Sequence, residues 1–80
     1  MRTLYDLMSN CNIQGAYIIK VWSDEQDTAI TLAEGSDFEC ESHKLSAYIT
    51  DSELKYMYAV DGVLNIEIEM DEEKIEHITR

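Results

Sequence analysis

The sequence predicts a single small α+β domain, a four-stranded and mainly antiparallel sheet of two hairpins packed on one face by an N-terminal helix. Three observations predict it. Leu54 to Glu69 alternates apolar and polar residues on either side of Asp61-Gly62. Ala16 to Ala33 sets two β-rich runs around a polar turn, and residues 3–11 instead carry an apolar stripe at helical spacing. Eighty residues make one domain, 1–80, since domains begin at about 50 residues. A chain this short buries only around 60% of its unfolded surface, so its core must be small.

The elements follow in order. Thr3-x-x-Asp6 can close a capping box at the start of a helix over 3–11, and Leu4, Leu7, Met8 and Cys11 fall at i, i+3, i+4 and i+7. Residues 16–22 are dense in the β-branched and aromatic types that favour strands. Ser23-Asp24-Glu25-Gln26-Asp27 is a polar turn, after which Thr28, Ile30 and Leu32 alternate with Ala29, Thr31 and Ala33. In 36–52 the pattern weakens. Ser36-x-x-Glu39 offers a second capping box, and Leu45, Tyr48 and Ile49 can share one face of a short helix or irregular turn near 41–49. Leu54, Tyr56, Tyr58 and Val60 then alternate with Lys55, Met57 and Ala59. Asp61-Gly62 supplies the positive φ angles of a two-residue type I′ turn, and Leu64, Ile66 and Ile68 alternate with Asn65, Glu67 and Glu69. Residues 71–80 read either as a short closing helix, with Asp71, Glu72 and Glu73 at the end that favours negative charge and His77 and Arg80 at the other, or, with only Ile75 and Ile78 to bury, as a frayed tail.

Seventeen acids against six Lys and Arg give a formal charge of −11, and the acids concentrate in 24–39 and 67–76. Such a field repels nucleic acid and anionic membrane surfaces and attracts basic partners. It also keeps a small domain dispersed. No apolar run approaches the roughly 18 residues of a membrane span, and Asp6 comes too early for a secretory segment. With only Cys11 and Cys40, a cytoplasmic protein with reduced thiols is expected.

The catalytic and metal-binding patterns in the chain are incomplete. Acids are so frequent that no pair stands out as a general acid and base. Cys40-x-x-His43 can reach one metal ion, but a structural zinc needs four ligands, and Cys11 and His77 are isolated in sequence. A calcium loop counted from Asp24 wants Gly sixth and Glu twelfth but finds Ala29 and Gly35. There is no phosphate-cradling glycine loop. No catalytic, cofactor or metal residue is assigned. Among the aromatics, Tyr56 and Tyr58 share a strand face, where core and cross-strand packing is their ordinary use and an exposed anchor for a protein partner the alternative.

Leu4-Tyr5-Asp6-Leu7-Met8, Tyr48-Ile49-Thr50-Asp51, Glu53 to Ala59 and Asp61 to Glu69 together resemble small acidic proteins of unknown function carried by phages and mobile elements of Gram-positive bacteria. The resemblance implies a bacterial accessory protein and transfers no site residue.

The expected function is therefore binding, not catalysis. Asp24, Glu25, Asp27, Glu67 and Glu69 are the candidate partner-binding residues, with Glu67 and Glu69 about 6.8 Å apart on one strand face at two residues' rise. In its sharpest form this surface mimics nucleic acid and inhibits a host nucleic-acid enzyme. The alternative is a structural or assembly subunit acting as a homodimer.

Overall fold

The computed structural model describes residues 2–79. In chain order the elements are α1 (Leu4–Asn10), β1 (Tyr17–Ser23), β2 (Thr28–Gly35), α2 (Phe38–Glu41), a 3₁₀ turn (Ser42–Lys44), α3 (Ala47–Thr50), β3 (Glu53–Val60), β4 (Val63–Glu69) and α4 (Glu72–Thr79). The four strands form one sheet in the order β2-β1-β4-β3.

Each hairpin is antiparallel, as the sequence predicts, but the two hairpins join through a parallel pairing of β1 with β4. The sheet is therefore mixed. The two central strands carry most of the buried sheet residues, Tyr17, Ile19 and Val21 on β1 and Ile66 and Ile68 on β4, and central strands are where apolar side chains lose most contact with water. Tyr17 lies beside Leu64, Ile19 beside Ile66 and Val21 beside Ile68. All of these but Leu64, which is half-buried against them, join Leu4 and Leu7 of α1, Phe38, Ile49 and Ile75 in one buried cluster.

The short helices are fixed by their caps. Thr3 Oγ1 accepts from the Asp6 amide at 3.1 Å while Asp6 Oδ2 accepts from the Thr3 amide at 3.1 Å, which completes the predicted capping box. Cys11 is not part of the buried stripe; it is the extended, exposed residue that ends α1. In 36–52 the cap is Asp37, not Ser36, with its carboxylate accepting from the Cys40 amide at 3.3 Å. One residue's shift makes Phe38 the first helical position. Its buried ring meets Tyr17 edge-on, 5.1 Å between centroids. Ser46 caps α3 through the Tyr48 amide, and of the proposed face Ile49 is buried, Leu45 half-buried and Tyr48 exposed. Asp71 Oδ1 accepts from the Lys74 amide at 2.8 Å at the start of α4, which buries Ile75; the position assigned to Arg80 lies outside the described residues.

The Asp61-Gly62 turn is as predicted, with φ of 52° and 77° between the paired residues Val60 and Val63. Both edge strands carry a register irregularity that the alternation conceals. The pairing of β1 with β2 steps between Ile19–Ala33 and Lys20–Thr31, leaving Leu32 as the extra residue. That of β3 with β4 steps between Leu54–Ile68 and Tyr56–Glu67, leaving Lys55. An inserted residue turns the rest of the strand over. Leu54 therefore faces the core beside Ile68, whereas Tyr56, Tyr58 and Val60 point to the opposite side.

Candidate protein-interaction surface

On the core side of the two central strands Tyr17, Ile19, Val21, Ile66 and Ile68 are buried, whereas on the other side Trp22, Tyr56, Tyr58 and Val60 are exposed and Asn65 is buried. Trp22, Tyr56 and Tyr58 are 40%, 57% and 43% exposed. Past Leu54 both faces of β3 are exposed, Met57 at 47% included, so Tyr56 and Tyr58 lie outside the core, and the Lys55 bulge sets only which side they take. The cross-strand rows on this side read Thr31–Lys20–Glu67–Tyr56 and Glu34–Ile18–Asn65–Tyr58. Lys20 Nζ lies 6.0 Å from the centre of the Tyr58 ring, and Lys55 Nζ lies 5.7 Å from that of Tyr56. Both rings already hold a cation of the chain's own.

The carboxylates are arranged by topology. Because β1 and β4 run parallel, their C-terminal ends lie at the same end of the sheet. In an up-and-down meander of four strands, β1 and β4 would run oppositely, and the acids after each would be at opposite ends. Here the turn bearing Asp24, Glu25 and Asp27 meets the segment bearing Glu69, Asp71, Glu72 and Glu73. Glu53 pairs with Glu69 at this end, and an open groove of about 370 Å³ runs between Asp51, Glu53, Glu69, Asp71 and Lys74. Glu34, Asp37, Glu39, Glu41 and Asp61 belong to the other end.

Glu72 ties the two acidic segments together. Ser23, fully buried, donates its hydroxyl to the Glu72 carboxylate, with 3.0 Å to Oε2 and 3.2 Å to Oε1, and accepts from the Gln26 amide at 3.2 Å. The Glu25 amide donates to Glu72 Oε1 at 3.3 Å. A carboxylate so placed serves the turn as an acceptor and holds it against α4.

Of the five residues expected to bind a partner, Asp24, Glu25 and Asp27 are exposed in the β1–β2 turn, and Glu69 is exposed on the open side near them. Glu67 is half-buried and sits beside Lys20, so Glu67 and Glu69 do not make an unbroken anionic row. Sequence reasoning missed Asp51, Glu53, Asp71 and Glu72 as members of the same surface, and Trp22 as its exposed aromatic. The density of acids after residue 67 was the available signal for Asp71 and Glu72; nothing local signals Asp51 or Glu53.

The remaining reactive groups are elsewhere. Cys11 and His43 line a cleft of about 210 Å³ with Met8, Ile13, Phe38 and Glu39. Cys40 is exposed, and its thiol is pushed up chiefly by its hydrogen bond to Asp37 and that residue's charge, which disfavours the nucleophilic thiolate. Among the described residues no three His, Cys, Asp or Glu side chains converge as metal ligands. The Tyr17 phenol is also pushed up, first by burial and then by the Glu41 carboxylate beside it. Among the described residues no helix is long and apolar enough to cross a membrane.

No protein-family model, curated protein or solved structure matches this chain.

Proposed function

We propose that the protein is a small acidic, non-enzymatic binding module that presents the open side of its sheet and the adjoining acidic end to a basic surface of a protein partner. The observation that carries the reading is the parallel β1–β4 pair, which gathers two acidic segments distant in sequence beside exposed Trp22. Carboxylates crowded together repel one another, a cost to the folded state that a cationic partner relieves. A protein that docks on nucleic acid has such a cationic surface, so an inhibitor that occupies the phosphate-binding groove of a nucleic-acid enzyme, encoded by a mobile element, is the sharpest form of this reading. With Lys20 and Lys55 interrupting the open side, the phosphate-like charges in that form are those of the acidic end.

Affinity capture with the purified chain tests it. The expected partner is basic and dissociates as salt rises. Joint substitution of Asp24, Glu25, Glu69 and Asp71 by their amides weakens capture. Binding that ignores both salt and these substitutions overturns the reading.

A homodimer is the second reading, favoured by Tyr58 and Val60, which are exposed away from the acidic end. The strand edges support it poorly. Both β2 and β3 carry a bulge, and the start of β3 is covered by the N-terminal segment, where the Leu54 amide donates to the Arg2 carbonyl at 2.6 Å. Sedimentation at high concentration separates the two: a strict monomer ends the dimer reading.

A further inference from the structure

We infer that Trp22 is the seat for an arginine side chain of the basic partner, with Glu69 and Asp24 as its counter-charges; this rests on the reading of the acidic end as a protein-binding surface. The three exposed aromatics of the open side are not equivalent. Tyr58 is faced by Lys20 and Tyr56 by Lys55, at 6.0 and 5.7 Å. Trp22, the best cation acceptor among aromatic residues, stands at the acidic end of β1.

The surroundings of the indole are suited to a planar cation. Its Nε1–H donates to Asp24 Oδ1 at 3.0 Å, which restrains the ring and sets a carboxylate at its edge. On the β2 side its neighbour is Ala29, which is too small to cover the ring. On the β4 side the ladder ends at Val21–Ile68, the residues just before Trp22 and Glu69, so both follow the last pair on strands that run the same way, with neighbouring strands about 4.8 Å apart. A guanidinium can stack on the indole face and donate to a carboxylate in the same plane, whereas an ammonium offers only a point charge. Other occupants fit less well. A second copy would set its own Glu69 and Asp24 against this pair, and a phosphate would meet two carboxylates.

Trp22 is the chain's only tryptophan, so its emission reports occupancy directly. The probes are two tryptophan-free peptides of equal length and charge, one alternating Arg with Ser and one alternating Lys with Ser, titrated at low salt. Binding is followed by fluorescence and by calorimetry for the wild type, Trp22→Phe, Trp22→Leu and Glu69→Gln, with circular dichroism to verify folding. The Arg peptide is expected to change the emission and to bind roughly two- to five-fold more tightly than the Lys peptide. Trp22→Leu abolishes that preference, Trp22→Phe retains part of it, and Glu69→Gln weakens the emission change. If the wild type and Trp22→Leu bind both peptides equally and the emission does not move, Trp22 is not the seat, while the acidic-surface reading survives. If neither peptide binds the wild type at low salt, the acidic-surface reading falls as well.

Discussion

Replacing Glu72 by Ala removes a side chain that joins the β1–β2 turn to α4. The carboxylate accepts from Ser23 Oγ at 3.0 and 3.2 Å and from the Glu25 amide at 3.3 Å. Ser23 is fully buried, so its hydroxyl loses its acceptor without gaining water. Hydrogen bonds to a charged group contribute about 1.5–3 kcal/mol when enclosed, and half-burial of Glu72 reduces the expected loss to about 1–2 kcal/mol. A second effect opposes it: Asp24, Asp71 and Glu73 are nearby, and removing one negative charge relieves repulsion. Salt distinguishes the two effects, because it screens exposed charges more strongly than it weakens a part-buried hydrogen bond. Thermal melts in high salt should therefore show the full loss, about 4–8 °C per kcal/mol for a domain of this size, and melts in low salt a smaller one. Glu72→Gln keeps an acceptor for Ser23 and is expected to lose about half as much. The cycle with Ser23→Ala should show coupling above about 0.5 kcal/mol. Glu72→Ala as stable as the wild type in high salt, or additive with Ser23→Ala, refutes the reasoning.

Three further outcomes follow from local geometry. Phe38→Ala empties the buried site against Tyr17 and should cost about 3–5 kcal/mol by urea unfolding; a loss under about 1 kcal/mol contradicts its place in the core. Gly62→Ala forces a side chain onto φ of 77° and should cost about 1 kcal/mol without a steric clash, since open space surrounds the position. Asp6 is held below the ordinary carboxylate range by the Thr3 amide, then the Arg2 amide and the Thr3 hydroxyl. Its folded-state value is thus the lower one, so its contribution is full above the unfolded value near 3.9 and is lost as pH falls through the folded value. Asp6→Asn should therefore flatten the acid side of the stability profile, and parallel profiles for the two proteins would contradict the capping box.

What could be read from the sequence was what depends on neighbours in sequence. The Thr3–Asp6 box, the Asp61-Gly62 turn and both hairpins are local, and each is set by the φ preferences or hydrogen-bonding capacity of a few adjacent residues. The parallel pairing of β1 with β4 is not. It joins positions about forty-seven residues apart, such as Tyr17 and Leu64, and two hairpins of similar pattern can join through several edges at similar local cost. The bulges at Leu32 and Lys55 escaped for a different reason. One extra residue leaves the composition of a strand unchanged while reversing the side each residue takes, and past Leu54 both sides of β3 are exposed, which the alternation of Tyr56 and Tyr58 does not signal. Phe38 was hidden because its cap, Asp37, sits beside another acceptable cap, Ser36. The candidate surface shared these limits: the acids were visible, but their convergence at one end depends on the parallel pair.

Mapping the footprint of a basic ligand by amide chemical shifts tests that convergence most directly. Titration of the isotope-labelled chain with the Arg–Ser peptide should perturb Trp22 to Asp27 and Glu67 to Glu73 together, at one midpoint. The amides of Glu34 to Glu41 and of Asp61 should move little. Equal perturbation of both ends, or a footprint confined to 34–41, would mean that the acidic end beside Trp22 is not the binding surface.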